Sequence, residues 1–278
     1  MKPNGSDLTQ RTADTARHGS PDWSPDGRQI AFSRFHGPLV DIFVMNADGS
    51  NVTQITQSGG AVMPAWSPNG QRIAFATWDG GRAYGVSIMN ADGSDVTTLT
   101  QAVGRPTPSD LLISSDNLPS WSPDGRQIAF VRKYADGNIS DIFVMNADGS
   151  GITQLTYSDA GVGIQGRPAW SPNGQRIAFA ANRDTAGHYT NRYAIFTMNA
   201  DGSGMLQLTT GLDQDFAPGW SPNGRRIMFL RRCSGNGIGM AGFFIMDADG
   251  GEVTQVDAVL ADAVFGGSPQ WTQHPLLK

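Results

Sequence analysis

Cysteine occurs once, at Cys233, so no internal disulfide can form and both oxidising and reducing compartments stay open. Charged residues are sparse, at 16%, and no basic run exceeds pairs such as Arg132-Lys133 or Arg231-Arg232. With a net charge of −5, the chain lacks the clustered Lys and Arg that a phosphate backbone requires, so no nucleic-acid partner is expected. No apolar stretch approaches the roughly 20 residues that span a bilayer, and no membrane insertion is expected. The start, Met1-Lys2-Pro3-Asn4-Gly5, is polar and unlike a signal peptide. Catalytic signatures are missing as well: there is no G-x-S-x-G elbow, no H-E-x-x-H and no phosphate-cradling G-x-x-x-x-G-K-[ST].

What the chain does contain is repetition. The phrase W-S-P-[DN]-G-[RQ]-[RQ]-I-[AM]-F starts at Trp23, Trp66, Trp121, Trp170 and Trp220, and S-P-Q-W-T places Trp271 in the same register. The intervals are 43, 55, 49, 50 and 51 residues. A second phrase, M-[ND]-A-D-G-[SG], follows at Met45, Met89, Met145, Met198 and Met246. Several short strand-like runs at a period of 40–50 residues mark a β-propeller. The fold class expected is therefore all-β, a single propeller domain over 1–278 built of four-stranded antiparallel blades.

In the first complete unit, strand a ends at Trp23 and Ser24-Pro25-Asp26-Gly27 makes a tight turn, with Pro presetting φ and Gly accepting its positive value. Strand b is read over Gln29 to Ser33 and strand c over Asp41 to Met45. The turn Asn46-Ala47-Asp48-Gly49 leads into strand d, Asn51 to Thr56. Such a sheet cannot bury both its faces alone. The matched Trp, Met and strand-b Phe residues (Phe32, Phe75, Phe130, Phe179, Phe229) are thus expected to pack between blades.

These repeats resemble the TolB-like propeller family, over nearly the whole chain from about Asn4 to Trp271. The resemblance implies six blades, and a periplasmic or extracellular setting. The repeats then divide as 13–56, 57–100, 101–156, 157–209 and 210–257, with 258–278 plus 1–12 as a closing blade. Asn4 to Thr12 match the turn and strand d of a repeat, while only Thr272 to Lys278 follow the sixth Trp. Six blades with an incomplete last one is the main expectation, and five blades with surplus ends the alternative.

Up-and-down topology puts the a–b and c–d turns on one face and the b–c and d–a connections on the other. The first face repeats almost without variation and is expected to be structural. The second is irregular, and variable loops on a rigid scaffold are where binding usually resides. Its candidate contact residues are Arg34, Trp78, Arg132, Tyr134 and Arg231. Five positions before the six Trp residues stand His18, Ala61, Asp116, Gln165, Asp215 and Gly266, with Asp213 just beyond. Strand a lines the channel, so His18, Asp116, Gln165, Asp213 and Asp215 are expected at its mouth.

The leading functional expectation is a monomeric, non-enzymatic propeller that binds a protein or peptide, with a small glycan as a further ligand class and no required cofactor. The alternative is a carbohydrate-active lyase or hydrolase with a metal-assisted site at the channel mouth. There His18 would act as base, and Asp116, Gln165 and Asp215 would hold a divalent cation. The resemblance implies, for its lyase members, a metal near the strand-a starts held by His and Gln. Only His18 and Gln165 answer to that here, since His36 and His188 lie in loops of distant blades and His274 belongs to the opposite face.

Overall fold

The structure, a computed structural model, describes residues 9–12, 14–78, 84–101, 115–134, 139–158, 162–184, 188–211, 213–232 and 241–256. These residues form five antiparallel four-stranded sheets, each in the simple order a-b-c-d. Blade 1 is β1 (His18–Trp23), β2 (Gln29–His36), β3 (Leu39–Asn46) and β4 (Thr53–Gln54). Blade 2 is β5 (Ala61–Trp66), β6 (Arg72–Trp78), β7 (Tyr84–Asn90) and β8 (Thr97–Thr98). Blade 3 is β9 (Ser115–Trp121), β10 (Gln127–Lys133), β11 (Ser140–Asn146) and β12 (Thr153–Gln154). Blade 4 is β13 (Ala169–Trp170), β14 (Arg176–Arg183), β15 (Tyr189–Asn199) and β16 (Leu206–Gln207). Blade 5 is β17 (Gln214–Trp220), β18 (Arg226–Arg232), β19 (Ala241–Asp247) and β20 (Thr254–Gln255).

The five blades match the alternative expectation rather than the six-bladed one. Residues 258–278 and 1–8, assigned from sequence to a closing blade, lie outside the described residues, and residues 9–12 form no strand. Their position is nonetheless that of a strand d. A Cβ on Gly49 would lie 2.6 Å from the Arg11 carbonyl oxygen, just as one on Gly93 would lie 2.4 Å from that of Ile55. Both glycines have φ near +90°, and each c–d turn is pressed against strand d of the preceding unit. Arg11 thus stands to blade 1 as Ile55 stands to blade 2.

Apolar residues from adjoining blades merge into shared cores. Ala31, Ile42 and Val44 of blade 1 pack with Trp66, Ile73, Phe75 and Met89 of blade 2. Val131, Ile142 and Val144 of blade 3 meet Trp170, Ile177, Phe179 and Met198 of blade 4. The strand-b and strand-c rings stack within a blade, as Phe179 on Phe196 at 5.6 Å. The indole N–H groups tie successive blades: Trp121 donates to Ala65 O (3.1 Å), Trp170 to Ser120 O (3.2 Å) and Trp220 to Ala169 O (3.1 Å). The matched aromatics of blades 2 to 5 therefore pack between blades, as expected, whereas Phe32 and Trp23 cluster within blade 1.

The turns also follow their chemistry. Ser24 Oγ donates to Asp26 Oδ1 at 2.6 Å and accepts the Gln29 N–H at 2.9 Å, and the other blades repeat the arrangement with Asn69, Asp124, Asn173 and Asn223. In the c–d turns the hydroxyls of Ser50, Ser94, Ser150 and Ser203 hold Asp48, Asp92, Asp148 and Asp201 below the usual carboxylate range. Strand d is shorter than the sequence suggests, two residues in place of six. Its end is fixed instead by a side chain: the hydroxyls of Thr56, Thr100, Thr156 and Thr209 accept a strand-c N–H at 2.9 Å.

Two outcomes are expected. Phe179→Ala, which deletes a ring with no exposure, should cost about 3–5 kcal/mol in urea denaturation. Deleting residues 1–12 should strip the cover from the outer turn of blade 1, lower the melting temperature and promote self-association on size-exclusion chromatography. A truncated chain that melts like the full one would show that Arg11 adds nothing to the ring.

Candidate functional site

Strand a carries a deformation that the sequence does not announce. In four blades the register with strand b slips by one residue, between Gly19 and Asp22, Val62 and Ala65, Asn117 and Ser120, and Phe216 and Gly219. Within each slip one residue is left-handed: Ser20 (φ 50°), Met63 (59°), Leu118 (54°) and Ala217 (52°). All four stand three positions before the blade Trp and directly precede a proline. A non-glycine residue held there costs of order 1–3 kcal/mol, which the surrounding ladder must overcome. In blade 4 the glycine before this position takes the turn, Gly166 at φ 84°, and the residue itself is Arg167.

Arg167 crosses the channel. Its Nη1 donates to Asp22 Oδ1 of blade 1 at 2.7 Å, and its Nη2 to the carbonyls of Pro64 (2.5 Å) and Met63 (3.4 Å) of blade 2. Asp22 Oδ2 accepts the Trp66 N–H at 2.6 Å. The side chains are 13% and 8% exposed, so this ion pair is nearly desolvated. A cavity of about 660 Å³ opens on the regular a–b turn face, walled by the five blade tryptophans and by Pro25, Pro68, Pro123 and Pro172, with Asp22 and Arg167 in its lining. Sequence reasoning missed this pair, although aligning the copies isolates it. Arg167 is the single basic residue three before a blade Trp, and Asp22 the single acidic one immediately before.

At the other end of strand a lie the residues expected at the channel mouth. The structure joins them to strand b of their own blades. Asp116, fully buried, accepts Nε and Nη2 of Arg132 at 2.7 Å each, and Asp215 accepts the same two groups of Arg231 at 2.7 and 2.8 Å. Bonding to Asp116 holds the Arg132 guanidinium above its ordinary pKa. His18 faces Arg34, and both contact Asp14. Gln165 is exposed and donates its backbone N–H to Ala180 O. Gly266 lies outside the described residues. Among the described residues, no three His, Cys, Asp or Glu side chains gather as a metal site would need.

Asp213 joins Asp215 and Arg231 in a second cavity, of about 250 Å³, between blades 4 and 5 on the irregular face. Tyr193, Arg183, Arg192 and Thr209 complete its lining. Burial of Asp141 nearby, in strand c of blade 3, raises its carboxyl pKa, opposed by bonds from Ser158, Thr156 and Gln154 and by the charge of Arg183. Trp78 is 41% exposed at the end of β6, and Tyr134 is half-buried past β10. The irregular b–c connection expected at Arg34 to Pro38 is instead a tight hairpin, with β2 and β3 paired out to His36 and Leu39.

Known proteins place this architecture. The family model described as the TolB beta propeller domain matches residues 1–111. Within those residues the chain carries repeats of the TolB propeller type. A structure assigned to TolB from Agrobacterium tumefaciens superimposes with TM-score 0.72 at 19% identity, over 94% of this chain and 88% of that one. TolB from Acinetobacter baumannii gives 0.66 at 22% identity, over 90% of this chain but only 59% of its own length. An oligogalacturonate lyase in complex with manganese gives 0.63 at 13% identity, over 88% and 67%. At these identities the likeness is one of fold. No protein of curated function matches the sequence.

The cross-channel pair of this propeller gives a direct test. Arg167→Ala should destabilise by about 3–5 kcal/mol, because the buried Asp22 carboxylate loses its ion-pair partner. Adding Asp22→Ala should cost less than the sum of the two single changes, as measured by a denaturation cycle. Additive losses would mean that the two groups do not share one interaction.

Proposed function

We propose that the protein is a non-enzymatic TolB-like propeller that binds a protein or peptide partner through its irregular loop face and channel mouth, in a periplasmic or extracellular setting. The observation that carries this reading is the contrast between the two faces. On the a–b and c–d side, short turns satisfy their own polar groups blade after blade. On the loop side, Leu39, Trp78, Tyr157 and Tyr189 present 41–73% of their surface to solvent. Exposed aromatics on a rigid frame are the residue types that dominate binding energy at protein interfaces. What supports the setting is the TolB likeness alone.

A metal-assisted lyase is the second reading, and the fold likeness to the manganese-bound oligogalacturonate lyase favours it. The carboxylates it would need, Asp116 and Asp215, each already accept two bonds from a guanidinium, so holding a cation would require giving those bonds up.

Arg132 and Arg231 serve the fold through their ion pairs, so a test of binding should leave them intact. Trp78→Ala, Tyr134→Ala and Tyr189→Ala combined should reduce partner recovery in affinity capture by about ten-fold or more, given that truncating an interface anchor costs upwards of 1–2 kcal/mol. Equal recovery by the triple variant and the wild type, with unchanged melting, would overturn the reading.

A further inference from the structure

The position two after the strand-b Phe carries arginine in blades 1, 3 and 5: Arg34, Arg132 and Arg231. All three guanidinium groups lie over the strand-c ring of their blade, at 5.1 Å from Phe43, 4.6 Å from Phe143 and 5.0 Å from Phe244. In blades 3 and 5 the facing residue on strand a is Asp116 or Asp215, whose two oxygens take both N–H groups of the fork. A planar carboxylate and a planar guanidinium meet there in matched, two-bond geometry.

Blade 1 has the same arginine on the same ring and lacks that carboxylate. The residue facing Arg34 is His18, which rests edge-on against Phe32 at 5.4 Å. Among the described residues, the buried Arg34 Nε has no hydrogen-bond partner. What reaches the fork is Asp14, from the bend before β1, and it does so from the side. One oxygen lies 2.7 Å from Arg34 Nη2 and the other 3.1 Å from His18 Nε2, so Nε stays unbonded. Asp14 is also more exposed than the two groups it bridges, 40% against 27% for Arg34 and 17% for His18. The bend that carries it is tied to the sheet where Arg17 O accepts the Phe35 N–H at 2.9 Å.

We propose that Arg34 and His18 form a carboxylate-accepting site in blade 1. There a carboxylate of the bound partner takes the place that Asp116 and Asp215 fill from within in blades 3 and 5, and Asp14 holds the site until it is displaced. The proposal rests on the partner-binding reading above and gives it a chemistry: an Asp or Glu side chain, or a chain terminus. Arg34 Nε and Nη2 donate to the two oxygens of the incoming group, and His18 stands beside it in the role of a second donor. Blade 2 offers no such site, since Thr77 faces Ala61 there.

The test needs no partner. In the full-length protein, the Arg34 Nε–H resonance is identified by its loss in Arg34→Lys and followed by NMR during titration with sodium acetate at constant ionic strength set by chloride. Asp14→Asn, which removes the internal competitor from an exposed bend, should bind acetate about five-fold more tightly than the wild type. His18→Asp, which installs the arrangement that blades 3 and 5 already tolerate, should abolish the response. N-acetylglycine and N-acetylaspartate amide then separate a chain terminus from an acidic side chain, and a preference for either supports the site. Absence of any Arg34 response in Asp14→Asn would overturn the proposal, as would an equal response in His18→Asp. Either failure leaves the partner-capture result untouched, so the two readings fall separately.

Discussion

Each blade has two apolar faces and can bury neither by itself, and the rest of the molecule depends on its neighbour doing so. Phe75, Phe130, Phe179 and Phe229 are essentially unexposed, each sealed between its own strand c and an adjoining blade. Burying such rings supplies a stabilisation that a lone four-stranded sheet would forfeit. The indole hydrogen bonds add direction to this packing. Trp121, Trp170 and Trp220 each reach back to a carbonyl one residue before the preceding Trp or its equivalent, which sets the rotation of one blade against the next. Stability is therefore nearest-neighbour in character, and an unpaired blade face is a weak point wherever it occurs.

The channel follows from that arrangement, together with the bulges. In four blades a left-handed residue stands three before the Trp, and in blade 2 the carbonyls of Met63 and Pro64 at that bulge accept from an arginine of another blade. Arg167 then links blades that share no strand pairing. Its planar fork places Nη1 on a carboxylate oxygen and Nη2 on two carbonyls, a spread of donors that the single nitrogen of an ammonium lacks. The unbonded Trp66 indole is the exception in the ladder. It lies where Asp22 stands in place of the small residues Ala65, Ser120 and Ala169 that precede the tryptophans of blades 2, 3 and 4.

Much of this was legible in the sequence, and the parts that were not share a cause. The turns could be read because Ser-Pro-Asp-Gly and Asn-Ala-Asp-Gly carry their own hydrogen-bonding logic within four residues. Packing of the matched Trp, Phe and Met residues could be read from their recurrence. The cross-strand pairs Asp116–Arg132 and Asp215–Arg231 could not, because reading the Trp-minus-five position alone ignores the residue that the register sets opposite. Treating those carboxylates as a group at the channel mouth left out their own blade. The number of blades was ambiguous for a related reason. Residues 9–12 have the sequence of a strand d and the position of one against Gly49, yet form no ladder.

A comparison among blades separates structural charge from charge with a use. An arginine that packs on a ring and binds a buried carboxylate from its own sheet is complete, and Arg132 and Arg231 are of that kind. Arg34 occupies the same frame with a histidine opposite, and among the described residues its buried Nε has no acceptor. Repeats make such departures interpretable, because the other copies show what the frame does when only stability is at stake. The same logic applies to Arg167, whose counterparts Ser20, Met63, Leu118 and Ala217 have uncharged side chains. In a fold built from near-identical units, the residues that break the pattern are the ones whose chemistry the scaffold alone does not require. Here they are Arg34, on strand b of blade 1, and Arg167, just before strand a of blade 4.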